Sequence, residues 1–260
     1  MKNVIVTTGH AAAAAHVALA EQTAARLGCA CVTRLQRSLP VLRQEYQVEY
    51  IIVSSQGQLT LNTPEGELFF HPSMAHLRVK NLRHGLKDHM IEAMGLQPGM
   101  RVLDGTLGFG ADAIVASFVT GAAGTVIGLE SSPMIAAVMG HGLAHMTAEN
   151  YTMQEAMRRI HVVAQDHLSY LQALPAKSMD VVYFDPLFRH PLTGSASMEP
   201  LRRVADHRPI DRETLAEAVR VARYRVVLKE NSRSQEFARL GFLRMEGGKY
   251  SPVHYGIMDL

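Results

Sequence analysis

Val102-Leu103-Asp104-Gly105-Thr106-Leu107-Gly108-Phe109-Gly110-Ala111-Asp112-Ala113 is the stretch on which the fold turns. An apolar run ends in a carboxylate, passes through small residues and opens into an apolar segment, the pattern of a strand, a tight turn and a helix. Outward from it, short apolar runs alternate with helical segments: Arg101 to Leu103, Ala111 to Val119, Thr125 to Leu129, Pro133 to Met146, His161 to Val163, His167 to Leu171 and Val181 to Phe184. Such alternation builds βαβ units and therefore a parallel sheet. A helix from Arg212 to Ala222, a strand from Arg225 to Leu228 and a terminal pair of strands around Phe242 to Met245 and His254 to Ile257 extend the series. The expected class is α/β, a mostly parallel central sheet with helices on both faces.

Upstream the pattern changes. Val4 to Val6 reads as a buried strand, Ala11 to Leu27 as a helix closed by Gly28, and Cys29 to Thr33 as the return of a βα unit. A helix from Leu39 to Tyr46 and strands from Tyr50 to Val53 and Gln58 to Leu61 follow, punctuated by Gly57 and Pro64-Glu65-Gly66. Residues 1–75 are thus expected to form a small α+β lobe and residues 76–260 the catalytic domain. Leu77, Leu82, Leu86, Met90 and Met94 recur at helical spacing, so one helix from Ala75 to Met94 is expected to join them.

The composition bounds the function. With 260 residues, 47% of them hydrophobic, the chain can bury a full core and has no disordered signature. The tract from Ala11 to Ala20 is broken by His16 and is well short of the roughly 18 apolar residues of a membrane span. A cytosolic protein without a membrane segment is the expectation. The two cysteines read as reduced core or half-buried residues, and the histidines lack metal-ligand spacing, so no metal is expected. A net charge of +2 does not by itself indicate a polyanionic partner.

In an open parallel sheet, ligands lie beyond the carboxyl ends of the strands. Gly108 and Gly110 let the backbone approach a ligand, and a helix from Ala111 aims its amides at it. Asp104 is suited to a charged amino group. About 20 residues after the turn, Glu130 ends the next strand, where a ribose diol is gripped, and Gln165 and Asp166 end the third, where they can meet an adenine amine. The glycine spacing also satisfies a dinucleotide fingerprint. Asp104 and Thr106 argue against it, because an acid at this turn repels a pyrophosphate and attracts a sulfonium and an ammonium. The cofactor expected from this row of acids is S-adenosylmethionine (SAM).

Val181-Val-Tyr-Phe-Asp-Pro-Leu-Phe188 places Asp185, Pro186 and Phe188 at the fourth strand end. An exocyclic amine of a base is a poor nucleophile because its lone pair is delocalised into the ring. Hydrogen bonds to the Asp185 carboxylate and the Pro186 carbonyl favour a pyramidal nitrogen and offset its developing positive charge. Phe188 offers a flat face for an unstacked base.

These residues carry a resemblance. Asp104-x-Thr-x-Gly-x-Gly-x-Asp112, Leu129-Glu130, Asp185-Pro-x-Phe188, Arg225-Val-Val-x-Lys229, Met74-Ala-His-x-Arg78 and Gly85 resemble the bacterial small-subunit ribosomal RNA guanine exocyclic-amine methyltransferases and their uncharacterised Gram-positive relatives. The similarity runs from about Met74 to Ile257. It implies a Rossmann-like class I methyltransferase fold, SAM as cofactor and RNA as partner. It also implies that Ala111, Asp112, Glu130, Ser131, Gln165, Asp166 and Asp185 contact the cofactor. Two features depart from the family: Arg189 stands where a second proline is common, and Gln165-Asp166 stands where the better-studied branch has a serine pair.

Basic residues cluster in two places. Arg78, Lys80, Arg83 and Lys87 are interleaved with His76, His84 and His89, and Arg189, His190, Arg202, Arg203, His207 and Arg208 follow the Asp-Pro motif. Arg78, Lys80, Arg83, Arg189 and Lys229 are the expected RNA contacts, with a structural ion pair as the competing role for Lys229. A nicotinamide-dependent oxidoreductase, a catalytically silent RNA-binding protein and a DNA base methyltransferase are the alternatives compatible with the same residues.

Overall fold

The computed structural model describes residues 2–148, 151–186, 204–248 and 250–260. The chain divides into two compact units. In the first, β1 (Val4–Thr8), β2 (Ala30–Cys31) and β3 (Tyr50–Ser55) run parallel, and β4 (Gln58–Thr63) and β5 (Gly66–Phe69) add antiparallel, in the order β2-β1-β3-β4-β5. α1 (Ala14–Leu27) connects β1 to β2, and α2 (Leu39–Tyr46) precedes β3. Ile5, Leu42 and Ile51 form its buried centre. Cys31 is exposed on the short edge strand, rather than half-buried as expected. Besides residues 2–71 this unit takes in Ser132–Met146, so α6 (Pro133–His145) packs on β4 and β5.

The second unit begins at Pro72. The helix expected from Ala75 to Met94 is two helices, α3 (Ser73–Arg83) and α4 (His89–Met94). The break has two local causes. Gly85 adopts a φ of +76°, outside helical space, and the Asp88 carboxylate caps α4 by accepting from the Met90 and Ile91 amides at 3.1 and 3.3 Å.

Seven strands follow: β6 (Arg101–Asp104), β7 (Thr125–Glu130), β8 (Ile160–Ala164), β9 (Met179–Phe184), β10 (Ala222–Asn231), β11 (Arg244–Glu246) and β12 (Val253–Asp259). Their order is β11-β12-β10-β9-β6-β7-β8, with β12 antiparallel to both of its neighbours and the other pairings parallel. α5 (Ala111–Thr120) packs on β6, β7 and β8, and α7 (Tyr151–Arg158), which the sequence pattern does not announce, packs on α5. α8 (His167–Ala173) pairs with α9 (Arg212–Val221), which covers β9 and β10, and α10 (Glu236–Leu240) packs on β10. Leu103, Val182, Phe184, Val226 and Leu228 are at most 1% exposed, each contributing roughly 1.5–3 kcal/mol of burial. Among the described residues no helix is long and apolar enough to cross a membrane.

Candidate active site

From β6 the chain moves outward through β7 to β8, then returns to lay β9 on the other side of β6. Strand order reverses between β6 and β9, and a ligand crevice opens at such a point. Asp104 and Tyr183 are register partners there. The Gly105 amide donates to the Tyr183 carbonyl at 2.8 Å, and the Asp185 amide donates to the Thr106 hydroxyl at 2.5 Å. The turn after β6 is therefore fastened to the Asp185-Pro186 end of β9. Gly105 is required by contact, since a Cβ on it would lie 2.4 Å from the Phe184 ring. The Leu107 amide donates to the Leu129 carbonyl at 2.8 Å, tying the same turn to the end of β7 beside Glu130. Gly110, at a φ of +75°, turns the chain into α5.

Charged groups converge on this crevice. Lys229, near the carboxyl end of β10, donates to Asp112 at 2.9 Å and to Asp185 at 2.7 Å. Asp112 also accepts from the Tyr183 hydroxyl at 2.7 Å and from Arg78, whose Nε and Nη2 hold both oxygens of Asp88 at 2.7 and 2.9 Å. Three carboxylates against two cations leave this network negative. Burial opposes the Asp112 charge, but Lys229 and Arg78 win and hold its carboxyl well below the usual range. Asp185 moves the other way: burial and the neighbouring Asp112 raise it against the pull of Lys229. Asp104, 2% exposed, accepts from the Thr106 amide at 3.0 Å, and burial pushes its carboxyl up to about 8. A buried acid this reluctant to ionise favours a cationic ligand beside it.

The structure brings Asp104, Thr106, Gly108, Gly110, Ala111, Asp112, Glu130, Ser131 and Asp185 to one rim of the sheet, at the ends of β6, β7 and β9 and the start of α5. Glu130 is 7% exposed and Ser131 half-buried. Gln165 and Asp166 follow β8 on the same rim. Asp166 caps α8 through the Ser169 amide at 3.1 Å and pairs with Arg208 at 2.6 Å. Arg78 and Lys229, expected at RNA, donate to internal carboxylates and their side chains are 19% and 20% exposed, the competing structural role raised for Lys229. Lys80 and Arg83 are exposed. Phe188 and Arg189 lie outside the described residues. Tyr183 and Asp88 were missed, because a tyrosine inside an apolar strand and an acid amid basic residues carry no motif.

A family profile described as "Putative SAM-dependent methyltransferase" matches residues 36–241. The chain belongs to this SAM-dependent methyltransferase family. A nicotinamide-dependent oxidoreductase, the alternative raised by the glycine spacing, is overturned by that membership. The methyltransferase is 34% identical to an uncharacterized Bacillus subtilis protein, YpiP, over 98% of this chain and 99% of the other. It is 36% identical to ribosomal RNA small subunit methyltransferase J of Pseudoalteromonas atlantica, over 69% of this chain and 74% of that one. Its fold matches the crystal structure of a SAM-dependent methyltransferase from Neisseria gonorrhoeae with a TM-score of 0.65, at 17% identity, over 97% of this chain and 94% of that one. S-adenosylmethionine is the cofactor, and the acidic rim described above fits a cationic one.

Proposed function

We propose that this methyltransferase transfers a methyl group to an exocyclic amine of a nucleobase in RNA, guanine in small-subunit ribosomal RNA being the favoured target, in the cytoplasm. The observation that carries the reading is the Thr106–Asp185 hydrogen bond, which locks the cofactor turn to the Asp185-Pro186 motif. Bound SAM supplies an activated methyl on a sulfonium. In this reading the protein's residues only position groups and compensate charge. Asp104 holds the ammonium, Glu130 the ribose diol, and Gln165 and Asp166 the adenine edge. Gly108, Gly110 and Ala111 let the backbone approach.

Asp185 accepts from the amine N–H, and the Pro186 carbonyl accepts the second. The burial that raises the Asp185 carboxyl strengthens its bond to a nitrogen gaining positive charge. Lys229 and Asp112 orient Asp185 and do not touch substrate. The name borne by the Pseudoalteromonas relative supports a ribosomal RNA target.

The test is methyl incorporation into bulk RNA from cells lacking the gene, followed by mapping of the modified nucleotide. Asp185→Ala is expected to lower incorporation by at least about 100-fold while cofactor affinity measured by calorimetry is retained. Absence of incorporation by the wild-type protein would leave a silent RNA-binding protein as the better reading. Incorporation into DNA alone would select the DNA base methyltransferase.

A further inference from the structure

We infer that a groove between α3 and α7 is a subsite for single-stranded RNA flanking the target nucleotide, where Tyr151 stacks on a base and Lys80 and Arg83 hold the adjoining phosphates. The inference rests on the proposed RNA reading. The groove encloses about 590 Å³ and is lined by His76, Lys80, Arg83 and His84 from α3 and its C-terminal cap and by Tyr151 from α7. Buried Val79 and Met153 form its floor.

Two features point to a nucleic acid strand. Positions 76, 80, 83 and 84 fall on one side of a helix, so two fixed cations and two imidazoles face the same space. Tyr151, at the start of α7, is 73% exposed, an aromatic ring held out beside those cations. A stacking ring next to a basic strip is the arrangement that binds unpaired nucleotides without reading their sequence.

The groove is built on the helix that also reaches the acidic crevice. Arg78, on the opposite side of α3, reaches Asp112 in the first turn of α5, which fixes the middle of α3 at the level of the cofactor turn. One residue, Arg159, separates α7 from β8, and the Ser117 hydroxyl donates to the Ala156 carbonyl at 2.7 Å, so α7 lies alongside α5 and ends at the start of β8. Tyr151 stands about 10 Å from that end of α7.

The test is fluorescence anisotropy of the full-length protein with a labelled, mixed-sequence single-stranded RNA of roughly 12 nucleotides, titrated between about 50 and 200 mM salt. Tyr151→Ala is expected to weaken binding about tenfold, with Tyr151→Phe restoring it. The double change Lys80→Ala with Arg83→Ala is expected to shallow the slope of log affinity against log salt by about 1.4, about 0.7 for each lost phosphate contact. Melting temperatures and SAM affinity of these surface variants should match the wild type.

No binding of the probe by the wild-type protein, or equal affinities and slopes in all variants, would overturn the subsite. Methyl incorporation by the wild-type protein is read in parallel. Its absence defeats the proposed function, whereas unaltered RNA binding by the variants defeats the groove, so the two failures are distinguishable.

Discussion

Lys229→Met removes one ammonium while keeping most of the aliphatic stem, and the structure says what is left behind. Asp112 retains the Tyr183 hydroxyl and Arg78, but Asp185 loses its bond from Nζ, 2.7 Å away. The side chains concerned are 10–28% exposed, so solvent replaces little of the lost attraction. Removing one partner of a buried pair costs about 3–5 kcal/mol. Because Asp185 can escape by taking a proton, the lower end, about 3 kcal/mol, is expected. For a protein of this size that lowers the melting temperature by about 6–12 °C.

The pH dependence carries the sharper signature. Asp185 is already raised in the folded protein, and without Lys229 it rises further. An acid with a raised folded value keeps its proton where the unfolded chain has lost it, so folding loses stability as pH climbs from the unfolded carboxylate range through the folded value. The deficit of the variant relative to wild type should therefore be smallest near pH 5 and grow towards pH 8. Calorimetric melts across that range give both quantities. A shift under about 2 °C at neutral pH, or a deficit independent of pH, would refute the claim that Lys229 offsets the charges of Asp112 and Asp185.

In the proposed site Asp104, held up to about 8, attracts the cofactor ammonium when ionised, so SAM affinity should rise about tenfold per pH unit up to that value and level off above it. The same raised value makes folding lose stability as pH rises from the ordinary carboxylate range to about 8. Asp104→Asn should weaken SAM binding and flatten its pH profile; an unchanged profile by calorimetry would remove Asp104 from the cofactor site. Gly105→Ala forces a methyl against Phe184 and should cost about 1–3 kcal/mol of stability together with much of the SAM affinity. A variant that melts and binds like wild type would show that this turn relaxes freely.

The strand ends were legible because each couples an apolar run to a polar stop: Asp104 after Val102-Leu103, Glu130 after Val126 to Leu129, and Asp185 after Val181 to Phe184. A single sheet then brings those stops to one rim. What was not legible depends on contacts between distant elements. Arg78 and Lys229 carry the same charge as Lys80 and Arg83, and only the fold decides which meet carboxylates. Tyr183 is hidden among valines and phenylalanine, yet its hydroxyl completes the Asp112 shell. The helix from Ala75 to Met94 was overextended because its apolar spacing persists across Gly85, whereas the Asp88 cap and a positive φ end it. Likewise nothing local in Pro133–His145 announces that this helix groups with the N-terminal sheet.

Helix α3 has two faces with different occupations: Arg78 inward on Asp88 and Asp112, and the basic strip outward. Both are carried by one helix of eleven residues, so the place of the basic strip is set by the ion pairs that Arg78 makes with Asp88 and Asp112.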